Sequence, residues 1–126
     1  MVELALVLPV FLVLLMGIVD FGLGLRNWIT ITNAAREGAR YAAVSCVSAP
    51  NDSDVIDHTE DAASHLEDDV TVTVMNCPGA SGESVTVAVA HDYTLITPLG
   101  GLLGLLGDSA IPNSFSLSSS SDMRLE

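Results

Sequence analysis

The acidic residues between positions 52 and 69, with two histidines among them, are the densest group in this 126-residue chain that could do chemistry. Carboxylate oxygens suit Ca²⁺, but the segment lacks the glycine and the terminal glutamate spacing of an EF-hand loop. His58 and His65 are seven residues apart, whereas a zinc site needs closer neighbours and more ligands. We interpret the group as the solvated face of a helix, and we expect no metal and no other cofactor. Its carboxylates are Asp52, Asp54, Asp57, Glu60, Asp61, Glu67, Asp68 and Asp69.

The serines near the C-terminus carry no signature of a catalytic nucleophile, because no G-x-S-x-G motif accompanies them. The glycines between positions 100 and 107 punctuate leucines and do not form a phosphate-binding loop. The sequence therefore predicts no enzyme and no catalytic residue. Asn51, followed by Asp52 and Ser53, matches the acceptor sequence for N-glycosylation, which is a compositional indication only.

Two cysteines, Cys46 and Cys77, lie in the polar two-thirds of the chain, behind an apolar N-terminal segment. Two cysteines in a small domain behind such a segment favour one disulfide, formed outside the cytoplasm. The alternative is a pair of buried free thiols.

Two carboxylates flank an apolar N-terminal run, with Glu3 near its beginning and Asp20 at its end. A helix over residues 4–19 spans about 24 Å, and its extension through residue 25 spans about 33 Å, enough for a bilayer core of roughly 30 Å. Pro9 removes one helical hydrogen bond, so we expect a kink or a loosened turn there. Asp20 has two interpretations: a contact inside a bundle of helices with Arg26 of a neighbouring copy, or a carboxylate at the outer membrane interface.

The same run lacks the basic residues that precede an ordinary signal peptide and the small-residue cleavage site that follows one. We interpret it as a mature or trimmed N-terminus whose basic leader is gone.

One long helix is predicted from about Val2 to about Ser45, and its distal half carries small residues at spacings of three and four, where another backbone can approach closely. A short amphipathic helix over 55–66 and strands over 70–75, 85–96 and 115–125 follow from their periodicity. The apolar connection over 98–107 indicates packing against a neighbour. The small residues are Ala34, Ala35, Gly38, Ala39, Ala42 and Ala43.

These elements predict an α+β fold, a lollipop in which the long N-terminal helix packs on a three-stranded antiparallel sheet. Residues 1–25 are expected to form the apolar helix, a membrane span before assembly and a filament core after it. Residues 26–126 are expected to form the extracellular head, including the distal half of the helix.

The formal net charge is −12, and the chain contains no lysine. Such a chain repels phosphate backbones, so nucleic acid is excluded as a partner, and anionic lipid is an equally poor partner for the polar part. The fixed positive charges are Arg26, Arg36, Arg40 and Arg124.

The start, MVELALVLPVFLVLLMGIVDFG, the stretch NAAREGARYAA and the end, SSSSDMRLE, resemble the TadE-like pilin family of tight-adherence pilus systems, relatives of type IV pilins. The resemblance implies a type IV pilin-like fold, a leader cut on the cytoplasmic side by a prepilin peptidase, storage in the inner membrane and extraction into a filament by an assembly ATPase. The family's glutamate usually lies five residues after the cut. Here it is Glu3, so either two residues precede the printed start or the cut differs.

The resemblance gives roles to the charged residues of the helix. Cutting a leader creates a positive α-amino group, which can meet Glu3 of a docked subunit and so set the axial register. The alternative is a carboxylate in the lipid headgroup layer. Arg36, Glu37 and Arg40 lie within about one turn; Glu37 and Arg40 suit a local ion pair, and Arg40 is expected to brace the sheet against the helix.

The function predicted on these grounds is a structural pilin subunit that polymerises through its N-terminal helix into an extracellular filament for surface attachment. Its partners would be other copies of itself, the inner membrane before assembly, the prepilin peptidase and the pilus assembly machinery. The alternatives are a minor pseudopilin that primes or tips another filament, and a monomeric membrane-anchored binding domain. An ordinary anchor gains nothing from Glu3 and Pro9 and prefers basic residues on its cytoplasmic side.

Overall fold

A computed structural model describes residues 2–48, 52–66, 69–97 and 114–126. The elements in chain order are α1 (Val2–Ser48), α2 (Asp52–Ala62), β1 (Val70–Met75), β2 (Ser84–Thr94) and β3 (Ser114–Arg124). The strands form one sheet in the order β1-β2-β3, in which β1 and β2 pair antiparallel. The predicted α+β fold, a long N-terminal helix packed on a three-stranded antiparallel sheet, is confirmed.

The helix boundaries differ from the predicted ones by a few residues. α1 continues three residues past the predicted end, and α2 begins at Asp52 and ends at Ala62 rather than spanning 55–66. The residues after Ala62 form turns instead, with Leu66 N donating to Ala63 O at 3.0 Å. The apolar connection predicted over 98–107 lies outside the described residues.

The sheet buries the side chains that the alternating pattern predicted. In the β1–β2 register Val70 faces His91 and Met75 faces Thr86. Val85, Val87 and Val89 of β2 are fully buried, whereas their neighbours in sequence are more exposed. One face of the sheet therefore packs on the helices and the other is turned to the outside.

The small residues that recur every three or four positions in the distal half of α1 form its buried face, as predicted. Ala34, Ala35, Ala39 and Ala42 are at most 1% exposed, and the last three belong to one core with the valines of β2. A side-chain carbon added at Gly38 would lie 3.1 Å from Val87 Cγ1 and would overlap Thr59 of α2. Glycine at this point lets α2 and β2 approach the helix backbone closely.

The C-terminal end of the chain is fixed to the same core. Leu125 is 2% exposed; its carbonyl oxygen accepts a hydrogen bond from Gly82 N at 2.9 Å, and its N donates to Glu83 O at 2.8 Å. Glu126 N donates to Ala43 O of α1 at 3.2 Å. Residues that follow β3 thus join the turn after β1 and the end of the long helix.

Backbone packing divides the chain into two compact units, which are treated separately below. One comprises Met1–Arg26 with Tyr93–Phe115, and the other comprises Asn27–Asp92 with Ser116–Glu126. The predicted boundary after residue 25, between a membrane helix and a head, stays a prediction.

Candidate assembly site

The N-terminal half of α1 exposes its apolar side chains. Leu4 is 69% exposed, Val10 67% and Phe21 74%. Further aliphatic side chains of this half are 43–60% exposed: Val7, Leu8, Leu12, Leu14, Leu15, Ile18 and Val19. Among the described residues one helix, Val7–Val47, is long and apolar enough to cross a membrane. A surface of this size needs a cover of lipid or of other helices.

Glu3 and Pro9 lie on this exposed half. Glu3 is an exposed acidic residue in the first turn of α1, where a carboxylate interacts favourably with the helix dipole. Pro9 lies inside the helix, which continues through it from Val2 to Ser48. The register role predicted for Glu3 and the kink predicted at Pro9 stay predictions.

Asp20 is only 4% exposed, and its partners belong to the same chain. Thr97 donates two hydrogen bonds to the Asp20 carboxylate, from its backbone N to Oδ1 at 3.4 Å and from its hydroxyl to Oδ2. The Tyr93 hydroxyl donates to the backbone carbonyl oxygen of Asp20 at 3.3 Å. Each carboxylate oxygen thus has a donor, as a buried carboxylate requires. We call Asp20, Tyr93 and Thr97 the Asp20 cluster.

The ring of Tyr93 lies against the backbone of α1 near Gly24, where an added side-chain carbon would be 3.6 Å from Tyr93 Cε1. Burial raises the pKa of the Tyr93 hydroxyl, and the negative charge of Asp20 raises it further. The hydroxyl is therefore held in its protonated, donating form.

The Asp20 cluster was not indicated by the sequence. Our two interpretations of Asp20 were a contact with Arg26 of a neighbour and a place at the membrane interface, and neither included Thr97. The two residues are 77 positions apart. One signal did point to Tyr93. The alternation of buried and more exposed residues in β2 continues past Val89, and Tyr93 falls on a buried position of it.

In the second unit, the predicted charged group of α1 lies on exposed positions. Arg36, Glu37 and Arg40 are all exposed. Glu37 Oε1 lies 4.0 Å from His58 Nε2 of α2, and with side chains 55% and 42% exposed this contact contributes little. Within the described part of the chain Glu37 forms no ion pair with Arg40. The bracing role of Arg40 stays a prediction.

A cleft of about 610 Å³ separates this part of α1 from α2. The rings of Tyr41 and His58 stack at its wall, with centroids 4.5 Å apart and planes inclined by 28°. This contact joins the two helices from the outside, as Gly38 and Thr59 join them from the inside. The cleft is lined by Glu37, Arg40, Tyr41, Val44, Ser45, Asp54 and His58.

The predicted disulfide is present. Cys46, near the end of α1, is bonded to Cys77, just after β1, with the Cα atoms 5.2 Å apart. The bond closes the chain across a separation of 31 residues, which includes α2 and β1. It therefore joins the long helix covalently to the segment between β1 and β2.

A buried histidine was missed at the sequence level. His91 is 2% exposed, its Nε2 lies 3.5 Å from the side-chain nitrogen of Asn27, and its Nδ1 has no partner among the described residues. The alternation of β2 could have indicated it.

Across the described residues no three histidine, cysteine or acidic side chains are grouped as metal ligands would be. The predicted glycosylation site, Asn51, lies outside the described residues.

Comparison with known proteins supports the resemblance over one part of the chain. The family model described as TadE-like protein matches residues 1–40. The matched stretch covers the exposed apolar half of α1 and ends within the small-residue stripe. No curated protein and no solved structure matches the chain.

Proposed function

We propose that this chain is a structural pilin subunit that polymerises through its N-terminal helix into an extracellular filament for surface attachment. The match to the TadE-like family over residues 1–40 supports a pilus-associated protein of tight-adherence systems. The observation that carries the finer proposal is the uncovered apolar half of α1, which coincides with the matched stretch.

The exposed half of α1 suits two successive environments. Lipid tails cover an apolar helix as well as other apolar helices do, so transfer from a membrane to a bundle of helices has little hydrophobic cost. What holds the bundle together is then close packing and satisfied polar groups. A subunit stored in the inner membrane can therefore move into a filament core with little loss of hydrophobic stabilisation.

Glu3 gives the bundle a polar group to satisfy. It lies at the exposed tip of α1, where a carboxylate among apolar neighbours is costly unless it is paired. A prepilin peptidase that removes a leader supplies a new α-amino group, which is a partner of opposite charge. Pairing between copies would favour one axial register over others, and the assembly machinery would then add subunits in that register.

The test compares the full chain with two variants, Glu3→Ala and the control Asp122→Ala, which removes an exposed carboxylate from the sheet. Sheared filaments are quantified and imaged by cryo-EM, and the membrane fraction is assayed for the Cys46–Cys77 disulfide by intact mass. We expect Glu3→Ala to keep the disulfide and remain in the membrane, while Asp122→Ala assembles normally. A normal filament yield from Glu3→Ala contradicts the register role.

The image of the unaltered chain decides among the functions. Density for this chain repeating along a core of packed helices supports a main filament subunit. A few copies at a tip or base of a filament of another protein indicate a minor pseudopilin. A chain that stays in the membrane fraction contradicts the filament proposal and indicates a membrane-anchored domain.

A further inference from the structure

One face of α1 in the second unit is left uncovered. Its residues recur every three or four positions, so they lie in one row on the side of the helix away from Ala35, Ala39 and Ala42. Val44 is 66% exposed, and Ile29 49%. We call this row the outer stripe; it consists of Ile29, Asn33, Arg36, Arg40, Val44 and Val47.

The outer stripe contains two arginines one helical turn apart. Arg36 and Arg40 are half of the fixed positive charge of a chain with four arginines, no lysine and sixteen acidic residues. Neither forms an ion pair with any carboxylate in the described part of the chain, although Arg40 and Asp54 line the same cleft. Two guanidinium groups flanked by aliphatic side chains thus form a cationic surface that no carboxylate of the described residues neutralises.

The outer face of α2 has the opposite charge and the same spacing. α2 is anchored by the fully buried Val55 and Thr59, and its other side is exposed. Asp57 and Asp61 lie on that exposed side, one turn apart, as Arg36 and Arg40 do. The helix contains five carboxylates and no arginine or lysine.

We propose that the outer stripe of α1 docks the acidic face of α2 of a second copy of this chain, with Arg36 and Arg40 opposite Asp57 and Asp61. Two chains of net charge −12 repel each other, so they associate most readily where the few cations of one meet carboxylates of the other. The equal one-turn spacing allows both charge pairs to form at once. As a contact within a filament, this docking rests on the function proposed above.

The first test is a charge-exchange cycle in the full chain. One variant combines Arg36→Glu with Arg40→Glu, and a second combines Asp57→Arg with Asp61→Arg. In each, like charges face each other across the contact, so the amount of this chain recovered in sheared filaments should fall by about tenfold or more. Combining all four changes restores the recovery and leaves the net charge unchanged. Single reversals without effect, or a combined variant no better than either pair, overturn the proposal.

The matched control reverses two aspartates elsewhere. Asp92 and Asp122 are exposed on the outer face of the sheet, and Asp92→Arg with Asp122→Arg changes the net charge as much as Asp57→Arg with Asp61→Arg. We expect this control to assemble like the unaltered chain. A loss equal to that of the α2 reversal means that net charge alone governs assembly, which contradicts the proposed pairing.

The second test locates the contact without changing any charge. Asn33, an exposed residue of the outer stripe that does not line the cleft next to α2 of the same copy, is replaced by the photo-crosslinker benzoylphenylalanine, and ¹⁴N-labelled and ¹⁵N-labelled copies are mixed before irradiation. Cross-links of mixed label between the outer stripe and the α2 peptide, weakened at high salt, are expected. Cross-links that stay within one copy, or that reach other peptides only, overturn the docking.

The two proposals can fail separately. If the unaltered chain is absent from sheared filaments, the filament function fails. The mixed-label cross-link, measured in the membrane fraction as well, still decides whether copies dock through these two helices.

Discussion

Replacing Gly38 by alanine should destabilise the unit that comprises Asn27–Asp92 and Ser116–Glu126, although alanine is the better helix former. The gain in helix propensity is about 1 kcal/mol. Against it, the added carbon would overlap the Thr59 hydroxyl and lie 3.1 Å from Thr59 Cγ2 and Val87 Cγ1. Overpacking of this kind costs about 1–3 kcal/mol. Thr59 is β-branched and its hydroxyl donates to Val55 O at 2.6 Å, so it cannot turn away cheaply. The difference between this cost and this gain is a net loss of about 0–2 kcal/mol, and because Thr59 is held in place we expect the upper half of that range, about 1–2 kcal/mol.

A double-mutant cycle separates this contact from other effects of Gly38→Ala. Thr59→Ala removes two of the three atoms that the new carbon would meet, including the one that it would overlap, so the combined variant should be more stable than the sum of the single effects by about 1–2 kcal/mol. The free energy of unfolding is measured by urea denaturation of the full chain in detergent micelles, with hydrogen exchange of the β2 amides as a second readout. Gly22→Ala is the control, because nothing lies within 4 Å of its added carbon. Gly38→Ala as stable as the unaltered chain, or strictly additive effects, would refute the packing argument.

Three further predictions concern the covalent and polar contacts. Replacing Cys46 and Cys77 together by alanine should cost about 3.7 kcal/mol in the free energy of unfolding, from the loop entropy of a separation of 31 residues; a denaturation midpoint equal to that of the unaltered chain contradicts it. Thr97→Val removes one hydrogen-bond donor from the Asp20 carboxylate, so the free energy of local opening should fall by about 1.5–3 kcal/mol and amide exchange around residue 97 should become faster. Unchanged exchange argues against the Asp20 cluster. Because the folded state raises the pKa of Tyr93 above its ordinary value of 10.0, this hydroxyl contributes stability that is complete below pH 10 and is lost as the pH rises further. Tyr93→Phe should therefore flatten the fall in stability above pH 10, and an equally steep fall in the variant contradicts the assignment.

Local periodicity was sufficient to predict the architecture. The small residues around Gly38 indicated the face of α1 that approaches the sheet, and the alternation of Val85, Val87 and Val89 indicated the buried face of β2. Both patterns repeat within one element, so they can be read without knowing what lies opposite. Element ends were less well predicted, since a helix such as α2 can fray or extend by a turn at little cost.

The polar contacts between distant residues could not be predicted in the same way. Asp20 meets Thr97 across 77 positions, and the ring of His58 in α2 stacks on that of Tyr41 in α1. Neither pair has a spacing that marks it, because its geometry depends on how whole elements pack. The two cysteines were the exception: with only two in the chain, one pairing was possible.

In the proposed docking, the two faces of α1 over residues 34–42 (AAREGARYA) have different roles. Its small residues, such as Gly38, are buried against α2 and β2, so substitutions there should change the free energy of unfolding. Arg36 and Arg40 point outward, so their substitution should change assembly at nearly constant stability. The two carboxylates of the apolar half differ in the same sense. Asp20 already has donors within its own chain, and an intermolecular partner would have to displace Thr97, whereas Glu3 is exposed at the helix tip. Of the two, Glu3 is the carboxylate for which a neighbouring copy would supply a partner at the least cost to the subunit.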